Sequence, residues 1–429
     1  MNYQEAWAFL DNLQFFKIKL GLDSMAHFLD KVDNPQNKVK SVHVAGTNGK
    51  GSMSVTLLSI LAQAGYKVGL YTSPHLSSVR ERFRINDHFI PEDDFALIAS
   101  EIRDILQGRQ ITYFEFTTTL AMLWFAREEV DLAILEVGMG GRLDATNVVK
   151  PCVSVITNVS MDHEAYLGNT LSAVATEKAG IVKPGVPVVS GVANDASRDV
   201  VEESCRRQGA PFFLLGRDFS AGKEDDRTWS FSGLKPDSRL DHLPASLRGR
   251  YQIDNMALAL ATVELLGKGG YLVDEGNIRK GLQSVRWPGR LEYFRSSSKQ
   301  YLLDGAHNPA GVASLVDALN DEFEYRDLVL VWASMADKDI ASGLAAVSPL
   351  CRDIVFTRPE GERSALPEHL AGFLPEDSRA RTILTASVEE ALRKAEDVAG
   401  PEDLICVAGS LYLIGAARKL LLGELAGKK

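Results

Sequence analysis

A doubly wound α/β architecture, repeated in a second and smaller α/β body, is the fold class that three observations predict. Short, wholly apolar runs alternate with segments of helical periodicity. The first of these runs, "VKSVHVA" at 39–45, breaks into a glycine-rich loop directly ahead of a helix. The same alternation restarts after residue 300. Alternating strand and helix signals of this kind make parallel sheets joined by crossover helices.

Taken in order, residues 39–45 read as a buried strand. Residues 50–64 read as a helix, with Met53, Leu57, Ile60, Leu61 and Ala64 at helical spacing and Gly65 as the stop. "YKVGLYTS" (66–73), "DLAILEV" (131–137), "VSVITNV" (153–159) and "VPVVSG" (186–191) are the next strands. "KEDDRTWSFSG", within the more mixed residues 192–250, reads as loop and hairpin, and "DNMALALATVELLG" (254–267) as a helix. "RWPGRLEYFRSSSKQ" (286–300) carries a Pro-Gly turn and a polar tail, which predicts a linker. Strands return at 301–308, 327–333, 352–358 and 402–410. The expected organisation is a first domain over 1–288, a linker over 289–299 and a second domain over 300–429.

Size and charge limit the function. A chain of 429 residues is too long for one ordinary core. The net charge of −10 gives no global electrostatic case for nucleic acid, although a local basic pocket for an anionic small molecule is compatible with it. The cysteines Cys152, Cys205, Cys351 and Cys406 form no CxxC or zinc spacing, which fits a reducing, cytoplasmic compartment. The N-terminal "MNYQEAWAFLDNLQ" does not read as a signal peptide, and no apolar run approaches the ~18 residues of a membrane span.

Several strand ends carry chemistry. In "GTNGKGS" (46–52), Gly46 and Gly49 allow a tight turn with N–H groups aimed inward, the following helix adds its positive end, and Lys50 can reach outer phosphates. Only two residues separate these glycines, and Gly51 stands between Lys50 and Ser52, so the loop departs from G-x-x-x-x-G-K-[ST]. Glu136, at the end of a strand, can hold Mg²⁺ against phosphates, and Gly138, Gly140 and Gly141 allow close approach of a ligand. Asp162 and His163 close the strand at 153–159. His163 reads equally as structural or as a ligand-binding group. On spacing alone, Lys178 reads as an ion-pair partner of Glu177 or another neighbour. The alternation of Arg80, Arg82 and Arg84 has two readings, a solvated strand face or a basic lip for a carboxylate-rich substrate. Asp304, His307 and Asn308 follow a strand in the second half, as "SMADKD" (334–339) follows the next. Polar strand ends in both domains predict a ligand between them.

Ten strings, in order over nearly the whole chain, resemble the folylpolyglutamate synthase/dihydrofolate synthase family of the Mur ligase superfamily. They are "VAGTNGKGS", "YTSPHL", "ERFRIN", "TYFEFTT", "LEVGMGGRLDATN", "DHEAYLGNTLSAVATEKAGIVKPG", "YQIDNMALA", "PGRLE", "LDGAHNP" and "VAGSLYLIG". The resemblance implies an N-terminal P-loop-type doubly wound ATPase domain and a C-terminal Rossmann-like domain. It implies that ATP, L-glutamate and a pterin acceptor, dihydropteroate or a reduced folate, are the substrates, that Mg²⁺ is used, and that the chain is a monomer. Asn48, Gly49, Lys50, Gly51 and Ser52 would cradle the ATP phosphates, with Asn255, Arg290 and Asp304 at further nucleotide positions. Ser73, Glu136 and His163 would bind the metal. Lys178 matches a lysine that the family carboxylates to a carbamate, which replaces the ion-pair reading. Leu20, Gly21 and Leu22 match the loop that closes over the pterin, and Phe114, Gly138, Gly140, Gly141, Arg142 and Asp144 would line that pocket. Lys50, Lys178 and His307 would be catalytic, His307 as the base for the glutamate amine. Ala333 stands where relatives often have Gly. The expected enzyme is bifunctional. A synthase confined to folylpolyglutamates, another amino-acid ligase of the superfamily, and a nucleotide switch that has lost the chemistry are the alternatives.

Overall fold

The computed structural model describes residues 1–13, 21–225, 227–296, 298–359 and 364–423. The chain forms two compact units. The first comprises Met1–Ser246 and Gln252–Val285, and the second Leu247–Tyr251 and Arg286–Lys429.

The first unit is built on eight strands: β1 (Ser41–Ala45), β2 (Val68–Tyr71), β3 (Phe83–Ile85), β4 (His88–Phe89), β5 (Leu132–Glu136), β6 (Val153–Ile156), β7 (Val188–Ser190) and β8 (Phe212–Leu214). Their order is β4-β3-β2-β5-β1-β6-β7-β8, parallel throughout except for β3 and β4. Strands β1, β2, β5 and β6 are buried at every position. Helices cover both faces of such a sheet, which is why these strands read as continuous apolar runs. The sheet reverses its direction of growth at β1. Val44 lies beside Glu136 and Ala45 beside Ile156, so the chain leaves β1, β5 and β6 at one edge, where ligands bind in doubly wound sheets.

The helix Lys50–Gln63 follows β1 and ends as the sequence predicts, with Gly65 at φ +90°. It packs on the helix Glu275–Ser284 at Gly281, where a Cβ would lie 2.5 Å from the Ile60 Cα. The helix Tyr113–Arg127 starts with a capping box. Thr112 Oγ1 accepts from the Glu115 N–H at 3.1 Å, and a Glu115 carboxylate oxygen accepts from the Thr112 N–H at 2.7 Å. That cap fixes where Phe114 enters the fold. The later part of the mixed segment forms a separate three-stranded antiparallel sheet, β9 (Ser220–Lys223), β10 (Thr228–Ser232) and β11 (Arg239–Pro244), around buried Trp229 and Phe231, while its start continues the main sheet as a helix, Asp195–Arg207, and β8.

The second unit carries β12 (Glu292–Ser296), β13 (Lys299–Leu303), β14 (Leu328–Trp332), β15 (Cys351–Phe356), β16 (Arg381–Leu384) and β17 (Leu404–Ala408). Their order is β12-β13-β17-β14-β15-β16, and only β12 is antiparallel. Two of these edge strands correct the sequence reading. Residues 292–296, inside the expected linker 289–299, form β12, and β16 was not expected at all. Both are half-exposed edges, so neither shows the full apolar run of an inner strand.

No helix among the described residues is long and apolar enough to cross a membrane. Replacing Gly281 by Ala forces a methyl group against the Ile60 backbone, where no side chain can yield. A loss of about 1–3 kcal/mol is expected, read as a lower thermal midpoint with the product spectrum unchanged.

Candidate active site

The phosphate loop is held by close fit and by bonds to the loop after β6. Gly46, at φ +153°, leaves no room for a Cβ, which would fall 1.8 Å from Thr157 Oγ1. Gly49, at φ +81°, is equally constrained, with Asn255 Oδ1 2.3 Å from its Cβ position. The Thr47 N–H donates to Asn158 O (3.1 Å) and the Asn48 N–H to Asn158 Oδ1 (3.0 Å). Thr157 Oγ1 (2.6 Å) and Asn158 Nδ2 (3.0 Å) both donate back to Asn48 O. Thr47 Oγ1 donates to Ser160 O and accepts from the Ser160 N–H, each at 3.0 Å. Thr157, Asn158 and Ser160 are thus site residues that the sequence reading passed over. Their signal was the polar string "TNVS" directly after an apolar strand.

The helix that follows has Gly49 as N-cap and no side-chain cap, so its first-turn N–H groups at Lys50, Gly51 and Ser52 are presented as an anion site. Lys50 Nζ donates to Gly46 O and Thr47 O at 3.1 Å and lies 4.0 Å from Glu136 Oε1. Asn255 is buried on the helix Arg250–Gly267 and donates to Gln252 Oε1 at 3.0 Å, which aims its oxygen at Gly49.

Buried Glu136 ends β5 and accepts the Ser73 N–H at 3.2 Å. The expected metal residues Ser73 and Glu136 are therefore neighbours. His163 caps the short helix Glu164–Leu167 at φ +52°, with its N–H on Asp162 Oδ1 at 2.8 Å and its ring 39% exposed. No group of three or more His, Cys, Asp or Glu that could hold a metal occurs among the described residues. Mg²⁺ does not require one. It commonly takes one or two carboxylates and completes its shell with water and phosphate oxygens. The hard oxygens of Glu136 and Ser73 beside a phosphate loop suit it.

Lys178, in the last turn of the helix Leu171–Ala179, is only 3% exposed. That excludes the surface ion-pair reading. Glu177 is instead taken by Arg142, with Nη2 to Oε1 at 2.8 Å. Burial first, and then the charge of Lys50, lower the Lys178 pKa to about 7, with Asp162 opposing the shift.

Several of the residues expected at the acceptor pocket gather around Asp144. Its Oδ2 accepts from the Gly138 and Met139 N–H groups at 3.0 Å, and its Oδ1 accepts from the Thr146 N–H (3.0 Å) and hydroxyl (2.6 Å). Burial raises its pKa against those donors. Asp144 therefore shapes the glycine loop from within. The Phe114 ring comes within 2.6 Å of where a Cβ would stand on Gly138, and a Cβ on Gly141 would fall 2.9 Å from Glu177 O. The Phe114 ring is 5.8 Å from that of Tyr71. Gly21 and Leu22 precede the helix Asp23–Lys31, whose Met25 receives the Thr119 hydroxyl at 3.7 Å, so that helix packs on the one carrying Phe114. Leu20 lies outside the described residues. The arginine alternation is not one continuous strand face, since of the three only Arg84 lies in a strand, β3. Val79–Arg82 is a short 3-10 helix, Arg80 pairs with Glu92 at 3.2 Å, Arg84 lies 3.9 Å from Asp87, and buried Arg82 donates to His75 Nδ1 at 2.9 Å under the Tyr113 ring.

In the second unit, buried Asp304 accepts from the Leu291 N–H (2.8 Å) and the Ala306 N–H (2.9 Å). Burial raises its pKa and Arg290 opposes the shift. Arg290 Nη1 donates to Gly289 O at 3.1 Å and packs on Gly305, whose missing Cβ it would approach to 1.9 Å. His307 Nδ1 lies 2.7 Å from Gly305 O. A carbonyl only accepts, so the proton is on Nδ1 and the basic lone pair on Nε2. Asn308 and Asp339 are N-caps of their helices. Ala333 is not among the residues with positive φ, so a β-carbon there is unstrained.

The Mur ligase middle domain model matches residues 44–263, and the Mur ligase glutamate ligase domain model matches 289–411. The folylpolyglutamate synthase of Lacticaseibacillus casei is 35% identical over 99% of both chains. The chain belongs to the folylpolyglutamate synthase/dihydrofolate synthase family. The Bacillus subtilis dihydrofolate synthase/folylpolyglutamate synthase is 32% identical over 98% of this chain and 99% of that protein. A Haloferax volcanii protein, named a probable bifunctional folylpolyglutamate synthase/dihydropteroate synthase, is 35% identical over 97% of this chain, which spans half of that protein's length. Among solved structures, Mycobacterium tuberculosis folylpolyglutamate synthase complexed with ADP and AMPPCP superposes with a TM-score of 0.90 at 31% identity, covering 98% of this chain and 99% of that one. Escherichia coli FolC in complex with DHPP and ADP superposes with 0.89 at 32% identity over 99% of both. In this member of the family, the middle-domain match begins at Val44, two residues before the loop glycine Gly46.

Replacing Gly49 by Ala drives a methyl group into the Asn255 amide at a positive φ. ATP is expected to bind at least about tenfold more weakly, measured by calorimetry, with a smaller effect on acceptor binding.

Proposed function

We propose that this protein is an ATP-dependent, ADP-forming ligase that joins L-glutamate to a pterin-bearing carboxylate. The acceptor is dihydropteroate, the glutamate tail of a reduced folate, or both. The carrying observation is the uncapped helix behind Gly49, with Lys50 4.0 Å from Glu136, in a chain matched over its length by folylpolyglutamate synthases.

A carboxylate is a poor electrophile, and transfer of the γ-phosphoryl group of ATP converts it to an acyl phosphate with a good leaving group. The first-turn N–H groups of Lys50, Gly51 and Ser52 hold the phosphates, and Lys50 meets the charge that develops on the transferring group. Mg²⁺, held by Glu136, Ser73 and His163, would neutralise phosphate charge. Asn255, Arg290 and Asp304 are assigned to the nucleotide. Phe114 and the loop around Gly138, Gly140, Gly141, Arg142 and Asp144, with Leu20, Gly21 and Leu22, are assigned to the pterin side. The glutamate amine attacks the acyl carbon, and the tetrahedral adduct collapses to an amide and phosphate. His307, with its lone pair on Nε2, takes the amine proton.

Lys178 suits carboxylation. A pKa of about 7 leaves much of the amine neutral, and attack on CO₂ forms an N-carboxylate and releases a proton. The product exchanges a cation beside Lys50 for an anion, which removes the repulsion that lowers the Lys178 pKa. We infer a cytoplasmic monomer that does not bind nucleic acid, consistent with unpaired thiols at all four cysteines.

With MgATP and L-glutamate, mass spectrometry is expected to find a glutamylated product from both dihydropteroate and tetrahydrofolate. Product from tetrahydrofolate alone restricts the enzyme to polyglutamates, and ADP release without an amide overturns the ligase. Enzyme stripped of CO₂ is expected to regain activity on its return. At fixed dissolved CO₂ the regain should steepen from pH 6 to 8 as the Lys178 amine loses its proton, changing about tenfold per unit below the pKa. Lys178→Arg should show no such recovery.

A further inference from the structure

His43 lies in the central strand β1, wholly buried, three residues before the phosphate loop. Its Nε2 is 2.8 Å from Thr146 Oγ1. The single hydroxyl proton of Thr146 is committed to Asp144 Oδ1 at 2.6 Å, so His43 is the donor, through an Nε2–H. Nδ1 then carries the lone pair, and it has no hydrogen-bond partner among the described residues. Burial, with Lys183 nearby, holds the ring neutral, with a pKa of about 3. A proton on Nδ1 in place of Nε2 would set two lone pairs against each other at Thr146.

The chain of donors continues. Asp144 uses its other oxygen to accept the Gly138 and Met139 N–H groups, which open the glycine loop against Phe114. Without the His43 N–H, the buried Thr146 oxygen loses its donor and its hydroxyl is no longer held toward Asp144. An aliphatic side chain would fill the same core space without leaving a buried nitrogen unmatched, so packing alone does not explain a histidine here.

We propose that His43 is a positioning residue for the acceptor side of the ligase site, holding the Gly138–Gly141 loop through Thr146 and Asp144. The same strand delivers the phosphate loop, so one element sets both the nucleotide side and the acceptor side. The inference rests on the reading that this loop borders the pterin-bearing acceptor.

The test compares His43→Leu, His43→Gln, Thr146→Val and Thr146→Ser with the double variant His43→Leu/Thr146→Val. Amide exchange of peptides covering 138–141 and 46–52 is followed in each, with KM for MgATP and for the acceptor. His43→Leu and Thr146→Val are each expected to speed exchange over 138–141 and to raise acceptor KM about fivefold or more, with exchange over 46–52 and KM for MgATP near wild type. The double variant should be no worse than the singles, and Thr146→Ser and His43→Gln, which keep a hydroxyl and an N–H, should restore the loop. Unchanged exchange over 138–141, additive losses, or equal loosening of both loops overturns the proposal. Selective loosening with normal acceptor KM upholds the relay and removes the loop from the acceptor site. Thr146→Val conserves volume, so it decides the matter even if His43→Leu does not fold.

Discussion

The register that sets Val44 beside Glu136 and Ala45 beside Ile156 is the constraint on which the ligase site depends. It brings a phosphate loop, a carboxylate and the polar 157–163 segment to one sheet edge before any side chain makes a contact. A parallel sheet does this cheaply, because each crossover helix returns the chain to the same end. The reciprocal bonds between Thr47 and Ser160, and between Asn48 and Asn158, then convert a flexible glycine turn into a fixed cradle. With those main-chain groups spent on holding the loop, the first turn of the helix has no side-chain cap of its own.

Electrostatics at this edge are arranged against the resting protein. Lys50 and Lys178 repel each other, Lys178 is almost wholly buried, and its pKa falls to about 7, so a substantial part of its amine is neutral near pH 7. Such an arrangement costs stability as it stands, and any anion placed beside the two lysines would offset that cost. A site designed only for stability would have paired the buried lysine. Perturbed titration of this kind at a sheet edge is a common property of functional sites and of some structural charge networks.

The fold class, most inner strands and the tight glycine turn after β1 were legible in the sequence, because buried parallel strands are uninterrupted apolar runs and a Gly-x-x-Gly-Lys turn leaves few conformations. The edge strands β12 and β16 were not, since half-exposed strands carry weak patterns and a Pro-Gly turn before β12 imitates a linker. Ser73 and Glu136 meet as expected, but their contact joins residues far apart in the chain, which spacing cannot show. Lys178 illustrates the limit best. Nothing in "ATEKAG" distinguishes a surface lysine from a buried one, and its burial appears only in the folded chain. His43 was passed over for the same reason, as one residue in an apolar strand whose role depends on a partner a hundred positions away.

Two carboxylates read from sequence as ligand residues, Asp144 and Asp304, share one structural device. Each is buried, each spends both oxygens on main-chain N–H groups or a hydroxyl next to a glycine-bearing turn, and each has its pKa raised by burial. Asp304 receives the N–H of Leu291, a large side chain held at φ +45°, a conformation that costs about 1–2 kcal/mol and persists only where other bonds impose it. A serine or asparagine could supply some of these acceptors but not four lone-pair sites on one rigid group. The aspartates therefore shape the turns, and those turns carry main-chain N–H groups, the Arg290 guanidinium and the contact with the Phe114 ring. On this view a carboxylate-to-amide change at either position would act through the turn it clamps, leaving the chemistry of the reacting atoms untouched.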